Sequence, residues 1–560
     1  MEAGKTTLGI YGIPDRNDLS YPEESHDHGI VLMDQGKIVN FLQLERMTRK
    51  KHDHRLPEFL FGLLKEEGLL AGDFDIAFSN NVLGNSMISS NGKIRLEGPL
   101  CDQPAPVPLK AHAWWLDRAR EAWMVNHELA HIFSAMPFYG RFPDNSLLIH
   151  FDGGASTSNF SAFSFREEKI NLIEAHWDLK HLSAFFNANA LCFGIIGAQK
   201  EEQLSVPGKL MGLAAMGSWS GEIEKWLKRN QWFANIWGSK KDFFNSAEHE
   251  FGWRERKLDP KDPFLQDIVA TLHEIFVREV FEKIINLSDR FRTEDIVFTG
   301  GSALNIVLNS RLSRAGISRR LMIPPCTNDS GLALGSAACL EWYKHGKIEK
   351  SGPYLENWNT GGKNSGTLQA GHTENDVAKT ASWINQEEIV GVCNGPGEAG
   401  PRALGNRSIL CRADKPELAR KLSMELKGRE WYRPLAPIMR KEKLEKYTGE
   451  KNPSSLGKFM LDEFRILPKS QQSICGAVHI DSTARIQFLE YREDNPYIWD
   501  LLMHLENNYN LDCLINTSFN VRGEPIVETQ QDALKTAEKM NLRKLVIEGK
   551  PITLKSNGKS

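Results

Sequence analysis

A strand–turn–strand unit occurs twice in the N-terminal third, and it constrains the fold more than any other feature. In the first copy, Leu8–Ile13 is a short apolar run. Gly29–Met33 and Lys37–Leu44 come after it, joined by the turn sequence Asp34-Gln35-Gly36. In the second copy, Ser146–Phe151 ends in Asp152-Gly153-Gly154. Phe160–Phe165 and Ile170–Trp177 come after it, joined by Arg166-Glu167-Glu168-Lys169. Repetition of such a unit points to an internal duplication of a β-meander.

Duplicated meanders with attached helices are the plan of actin-like ATPase folds. Phe264–Leu287, amphipathic and free of Pro and Gly, predicts a long helix, and Leu56–Leu70 a shorter one. Asp295–Thr299 predicts a buried strand running into Gly300-Gly301-Ser302. A chain of 560 residues exceeds one ordinary domain. Residues 346–376 are rich in Gly, Lys, Ser, Asn and Thr and mark a crossing. The expected division is a first α/β unit over 1–350, a linker over 351–376, a second α/β unit over 377–548 and a flexible tail over 549–560.

Charge excludes a nucleic-acid-coating protein, since 69 Lys and Arg nearly balance 72 Asp and Glu. Eight scattered cysteines without a CxxC pair read as reduced thiols in a cytoplasmic setting. No apolar run is long enough to cross a bilayer.

His127-Glu128-Leu129-Ala130-His131 lies in a helical context read as Trp123–Met136. Histidines at i and i+4 share a helix face, so both can reach one metal. The spacing matches the zincin signature HExxH, with Glu128 as a would-be base. However, the next element in the chain is a strand ending at Asp152, which suits a different site with an oxygen ligand at a strand end. Asp329, in Pro324–Gly335, is a second candidate carboxylate. Two histidines and two carboxylates suit Fe2+, Mn2+ or Zn2+. Gly300-Gly301-Ser302-Ala303-Leu304-Asn305 reads either as a phosphate or ribose cradle or as a tight strand–helix turn.

The C-terminal half gathers cations among Pro, Gly and aromatic residues. Gly400–Ser408 carries Arg402 and Arg407, Lys427–Pro434 carries Lys427, Arg429 and Arg433, and Thr483–Gln487 carries Arg485. Asn516, Ser518 and Asn520 add neutral donors. Such a set suits a phosphorylated anion or an adenylate.

These segments, with Leu44-Glu45-Arg46, Lys51-His52-Asp53 and Gly208–Ala214, resemble the O-carbamoyltransferases of the nodulation and cephalosporin-type antibiotic family. The resemblance covers nearly the whole chain. It implies an actin-like (ASKHA, tRNA threonylcarbamoyl transferase-like) duplicated α/β domain followed by a C-terminal YrdC-like α/β domain. It implies that the second domain joins carbamoyl phosphate and ATP, with Mg2+, into carbamoyl-adenylate. The first would then pass the carbamoyl group to a hydroxyl of a small-molecule acceptor.

The resemblance further implies a metal, iron above all, on His127, His131, Asp152 and Asp329. It places nucleotide and carbamoyl-adenylate on Gly300, Gly301, Asn305, Arg402, Arg407, Lys427, Arg433, Arg485, Asn516, Ser518 and Asn520. Lys427 and Arg433 carry the activation chemistry. His26 is the candidate for the acceptor's proton, and Asp27, Lys51, His52 and Lys209 are expected on the acceptor side. No nucleic-acid or membrane partner is expected, and homodimerisation is left open. Two departures stand out. Glu128 is not demanded by the family pattern, and Gln203–Pro207 lacks the Glu expected beside Gly208.

Overall fold

Strand order shows the duplication directly. In the first sheet of the computed structural model, Lys37–Gln43, Gly29–Asp34 and Thr6–Tyr11 are antiparallel neighbours. Phe74–Ser79 then runs parallel to Thr6–Tyr11, and Arg118–Val125 parallel to Phe74–Ser79. In the second sheet, Lys169–His176, Phe160–Arg166 and Ser146–Phe151 are antiparallel neighbours. Asp295–Thr299 and Arg320–Met322 extend it in parallel. Both sheets therefore contain the order 3-2-1-4-5, a meander extended by two parallel strands, which is all of the second sheet and the centre of the ten-stranded first. The structure describes residues 6–13, 24–179, 181–183, 190–230, 240–358 and 371–555.

The two sheets pack through the helices His127–Phe133 and Leu332–His345. A shared apolar core draws Val31 and Phe41 from one sheet and Leu148 and Phe163 from the other. The long helix Pro263–Phe291 covers the outer face of the second sheet, burying Ile268, Leu272, Ile275 and Phe276 against Phe151 and Phe298. Asp262 caps it, accepting from the N–H groups of Phe264 and Leu265.

The C-terminal region forms a third sheet of seven strands. Its order is Gln487–Leu489, Ala436–Arg440, Cys513–Ser518, Arg407–Arg412, Val390–Cys393, Lys544–Ile547 and Lys550–Thr553. The helices Glu374–Asn385 and Pro496–Tyr509 pack on one face. This is the α/β architecture implied by the sequence, an actin-like duplicated unit followed by a further α/β domain.

Four local expectations need correction. The helical context does not begin at Trp123, because Arg118–Val125 is a strand and the helix opens at His127. The Leu56–Leu70 helix stops at Glu66, where Gly68 (φ +70°) turns the chain. The linker 351–376 contains the strand Tyr354–Glu356, which joins the first sheet beside Lys37–Gln43 and pairs on its other side with Gly397–Glu398. Residues 359–370 of that linker lie outside the described residues. Finally, Lys550–Thr553 is not tail but the edge strand of a hairpin turned at Glu548 and Gly549, both at positive φ. Residues 556–560 lie outside the described residues.

Candidate active site

Arg118–Val125 delivers the chain to Asn126, and the His127–Phe133 helix begins at once. Its first N–H, on His127, is satisfied by Asn80 Oδ1 at 3.0 Å. One turn apart, His127 Nε2 and His131 Nε2 face each other at 3.0 Å, both side chains buried. Asp329 opens the turn into Leu332–His345 and brings Oδ1 to 3.7 Å from His127 Nε2 and 3.4 Å from His131 Nε2. The two helices come this close because residue 335 is glycine. A Cβ there would lie 1.7 Å from the Ala130 carbonyl oxygen. Asp152, at the end of Ser146–Phe151, completes the group with Oδ2 3.5 Å from His131 Nε2. The N–H groups of Gly153 (2.5 Å) and Gly301 (2.6 Å) hold its carboxylate.

Ligand atoms of His131, Asp152 and Asp329 all lie within 4.8 Å of one another. Burial opposes the charged form of His127, but Asp329 outweighs it and raises its pKa. Asp329 in turn is driven well below the usual carboxylate range, despite its burial, by His26 and His127. The negative potential that raises the His127 pKa also suits a divalent cation, and the mixed N/O set suits iron, manganese or zinc. Glu128 takes no part. It is fully buried and turned toward the loop after Asp152. One oxygen accepts from the N–H and hydroxyl groups of Thr157 and Ser158, and the other from Ser156 Oγ. With its lone pairs so engaged, it is not a zincin base.

Beside this cluster Asp27 is held between two imidazoles. His26 Nδ1 lies 3.0 Å from Oδ2 and His52 Nδ1 lies 2.9 Å from Oδ1, while Asn328 Nδ2 donates to Oδ2. Asp27 and His52 both have positive φ, about 55–57°. These sharp backbone turns are what bring the three side chains together. Burial works against a charged His26, but Asp329 and Asp27 prevail and raise its pKa to about 10.

The cations of the C-terminal region form a second cluster. Lys427 comes directly after a wide i→i+5 turn over Lys421–Leu426. Its Nζ donates to Ser518 O and Oγ and to Asn520 O and Oδ1, all neutral oxygens. Nε of each of Arg402, Arg429 and Arg485 is buried without a hydrogen-bond partner among the described residues. Burial and mutual repulsion lower the Arg402 pKa to about 10 and push Lys427, Arg429 and Arg485 well down. Lys51 is lowered too, chiefly by burial. Asn516 steadies the floor, donating to Ala403 O and to Gln487 Oε1.

One cavity of about 730 Å³ borders both clusters, reaching the first through its carboxylates. Its wall includes His26, Asp27, Lys51, His52, Asp152, Gly301, Asn305 and Asp329 from the N-terminal region. From the C-terminal region come Arg402, Lys427, Arg429, Arg433, Arg485, Asn516, Ser518 and Asn520. Lys209 also lines it, buried between Glu202 (2.8 Å) and Glu430 (3.1 Å). The carboxylate expected beside Gly208 is thus supplied from six residues upstream, by Glu202. Asn305 caps Ile306–Arg314 and meets His273 Nε2 at 3.0 Å.

Four expected site residues do not line this cavity: His127 and His131, which lie behind Asp152 and Asp329, and Arg407 and Gly300. Arg407 is buried in the third sheet, donating to the carbonyls of Asn394, Gly395, Asn406 and Glu528, so it ties loops together. Gly300 (φ +94°) lets the chain pass Phe151, whose carbonyl would sit 2.2 Å from a Cβ. Its neighbour Gly301 is the residue that reaches Asp152. Conversely, Arg429 lines the cavity although the family resemblance did not place it among the binding residues. Its signal was its place between Lys427 and Arg433 in one Gly- and Trp-bearing segment.

Comparison with known sequences defines the class. The family model "Carbamoyltransferase N-terminus" matches residues 115–339, and "Carbamoyltransferase C-terminus" matches residues 381–553. The chain belongs to the carbamoyltransferase family and is a transferase acting on carbamoyl groups. Among curated relatives, "Nodulation protein NolNO" of Sinorhizobium fredii is 28% identical over 95% of this chain and 79% of that protein. "Nodulation protein NolO" of Bradyrhizobium diazoefficiens is 31% identical over 51% of this chain and 54% of its own. Among solved structures, full-length HypF in its phosphate- and nucleotide-bound form is 14% identical. The match covers 62% of this chain and 57% of that one, at a TM-score of 0.32. Among the described residues no helix is long and apolar enough to cross a membrane.

Proposed function

We propose that this protein is a cytoplasmic, ATP- and Mg2+-dependent O-carbamoyltransferase that uses carbamoyl phosphate and acts on a hydroxyl of a small-molecule natural product. The observation that carries this reading is the shared cavity, which joins under-paired buried cations to a His/Asp cluster.

In the first half-reaction water cleaves carbamoyl phosphate to carbamate and inorganic phosphate, and the carbamate oxygen attacks the α-phosphorus of ATP. Carbamoyl-adenylate forms and pyrophosphate leaves. Arg402, Lys427, Arg429, Arg433 and Arg485 bind the two anionic substrates and offset the charge gathered between them. Burial strengthens each of these contacts, because little water competes. In the second half-reaction the acceptor oxygen attacks the carbamoyl carbonyl, and AMP leaves. His26, its Nδ1 held by Asp27, accepts the hydroxyl proton at Nε2 in its neutral form, which a cation offsetting the charge of Asp329 would favour. Gly301 and Asn305 line the nucleotide's path, and Lys51, His52 and Lys209 lie on the acceptor side. A divalent cation on His127, His131, Asp152 and Asp329 would supply Lewis-acid charge stabilisation to the AMP phosphate and the carbonyl. The mixed anhydride stays inside one cavity between the two steps, which limits its hydrolysis.

The test is to incubate the protein with ATP, Mg2+ and carbamoyl phosphate, without acceptor. Pyrophosphate and carbamoyl-adenylate, seen by mass spectrometry only when carbamoyl phosphate is present, are the expected products. Untouched ATP, or conversion to ADP alone, would overturn the reading.

A further inference from the structure

Among the described residues Arg402 has no acidic partner to fix its direction, so its backbone is left to do so. That backbone is held from outside its own domain. Gln43 and Arg46 stand where the third strand of the first sheet passes into the short helix Leu44–Thr48. Arg46 is fully buried, and its Nη2 donates to Gly400 O at 2.8 Å and to Glu398 O at 3.5 Å. Gln43 grips the same stretch from both sides: Oε1 accepts the Gly400 N–H at 3.0 Å, and Nε2 donates to Glu398 O at 3.2 Å. On the opposite side Gly400 (φ +90°) lies against Pro325, whose carbonyl oxygen would be 2.2 Å from a Cβ. Gly400, two residues before Arg402, is therefore pinned between an N-terminal side-chain clasp and the segment leading to Asp329. Arg49 makes a second clasp nearby, donating to Pro525 O at 2.8 Å and Ile526 O at 2.6 Å.

We propose that Arg46 and Gln43 are positioning residues for the donor-activating cluster, acting through the Gly400 backbone to aim Arg402. This rests on the reading that Arg402 binds the donor. A charged side chain donating to two buried carbonyls fits an aiming role, since such bonds are strong and directional. The N-terminal region then contributes to the first half-reaction as well as to transfer.

The experiment is a double-mutant cycle between Arg46→Ala and Arg402→Ala, read as KM for carbamoyl phosphate in acceptor-free pyrophosphate release. Arg46→Ala alone should raise KM about tenfold, the size of one lost bond from a charged group, with kcat less affected. In the Arg402→Ala background it should raise KM no further, because the group it aims is gone. Arg46→Lys, which keeps one donor, should recover part of the loss. Additive effects, or an unchanged KM in Arg46→Ala, would overturn the proposal. If Arg46→Ala does not fold, Gln43→Ala enters the same cycle with the same criteria. An Arg402→Ala variant with unchanged KM would instead remove the donor-binding reading beneath it, so the two failures are distinguishable.

Discussion

In the His/Asp cluster each carboxylate stands beside an imidazole. Asp329 faces His127 and His131, and Asp27 sits between His26 and His52. In the cation cluster of the same cavity, Lys427 rests on neutral oxygens, and Arg402 and Arg485 have no acidic neighbour that raises their pKa. The first cluster is electrostatically satisfied by the chain itself. The second is strained by burial and like charge, and that strain is relieved when anions bind. Substrate binding should therefore matter far more to the second region than to the first.

Removing one cation should have the largest effect. Lys427→Ala or Arg433→Ala is expected to cut acceptor-free pyrophosphate release by about 100- to 1000-fold, the usual scale for losing one preorganised charge contact. Normal release by either variant would erase the contrast between the clusters. Next, His127→Ala should lower transfer to an acceptor by about 100-fold and reduce bound metal, leaving pyrophosphate release nearly intact. Equal loss of both half-reactions would merge the two regions into one.

A binding measurement sharpens the comparison without turnover. Pyrophosphate at a hundredfold excess over its Kd should stabilise the fold by about 2.7 kcal/mol, a shift that Lys427→Ala weakens and His127→Ala does not. The smallest effect is expected from Glu128→Gln. The amide keeps one acceptor oxygen for Thr157 and Ser158, so the variant should lose about 1 kcal/mol or less and keep both half-reactions. Loss of transfer in that variant would return Glu128 to the chemistry.

The architecture was readable where a local pattern decides local structure. Ser146–Phe151 and Asp295–Thr299 have the predicted bounds, and the five other strands read from the sequence differ by one or two residues at one or both ends. The error at Trp123 arose because Ala122–Val125 is an uninterrupted apolar run, whose periodicity suits a buried strand and a buried helix equally. The His/Asp group could be read because i, i+4 spacing and a strand-end carboxylate are geometric statements in themselves. The cation cluster was only partly legible. Sequence counts arginines but does not reveal what they face, so Arg407, tied to four carbonyls, looked like Arg402, tied to none. Arg46 gave the weakest signal, since its partners are backbone atoms more than 350 positions away.

The short strand Gly397–Glu398 has a consequence for engineering. It lies within the stretch matched by the C-terminal family model, yet through Tyr354–Glu356 it extends the first N-terminal sheet. The two halves are thus sewn together by a shared seam and are not cassettes that can be exchanged at the junction between them. A chimaera with a relative's N-terminal half would have to carry Tyr354–Glu356 and Gly397–Glu398 from one parent. Otherwise the graft would mismatch the sheet edge that continues into the loop bearing Arg402.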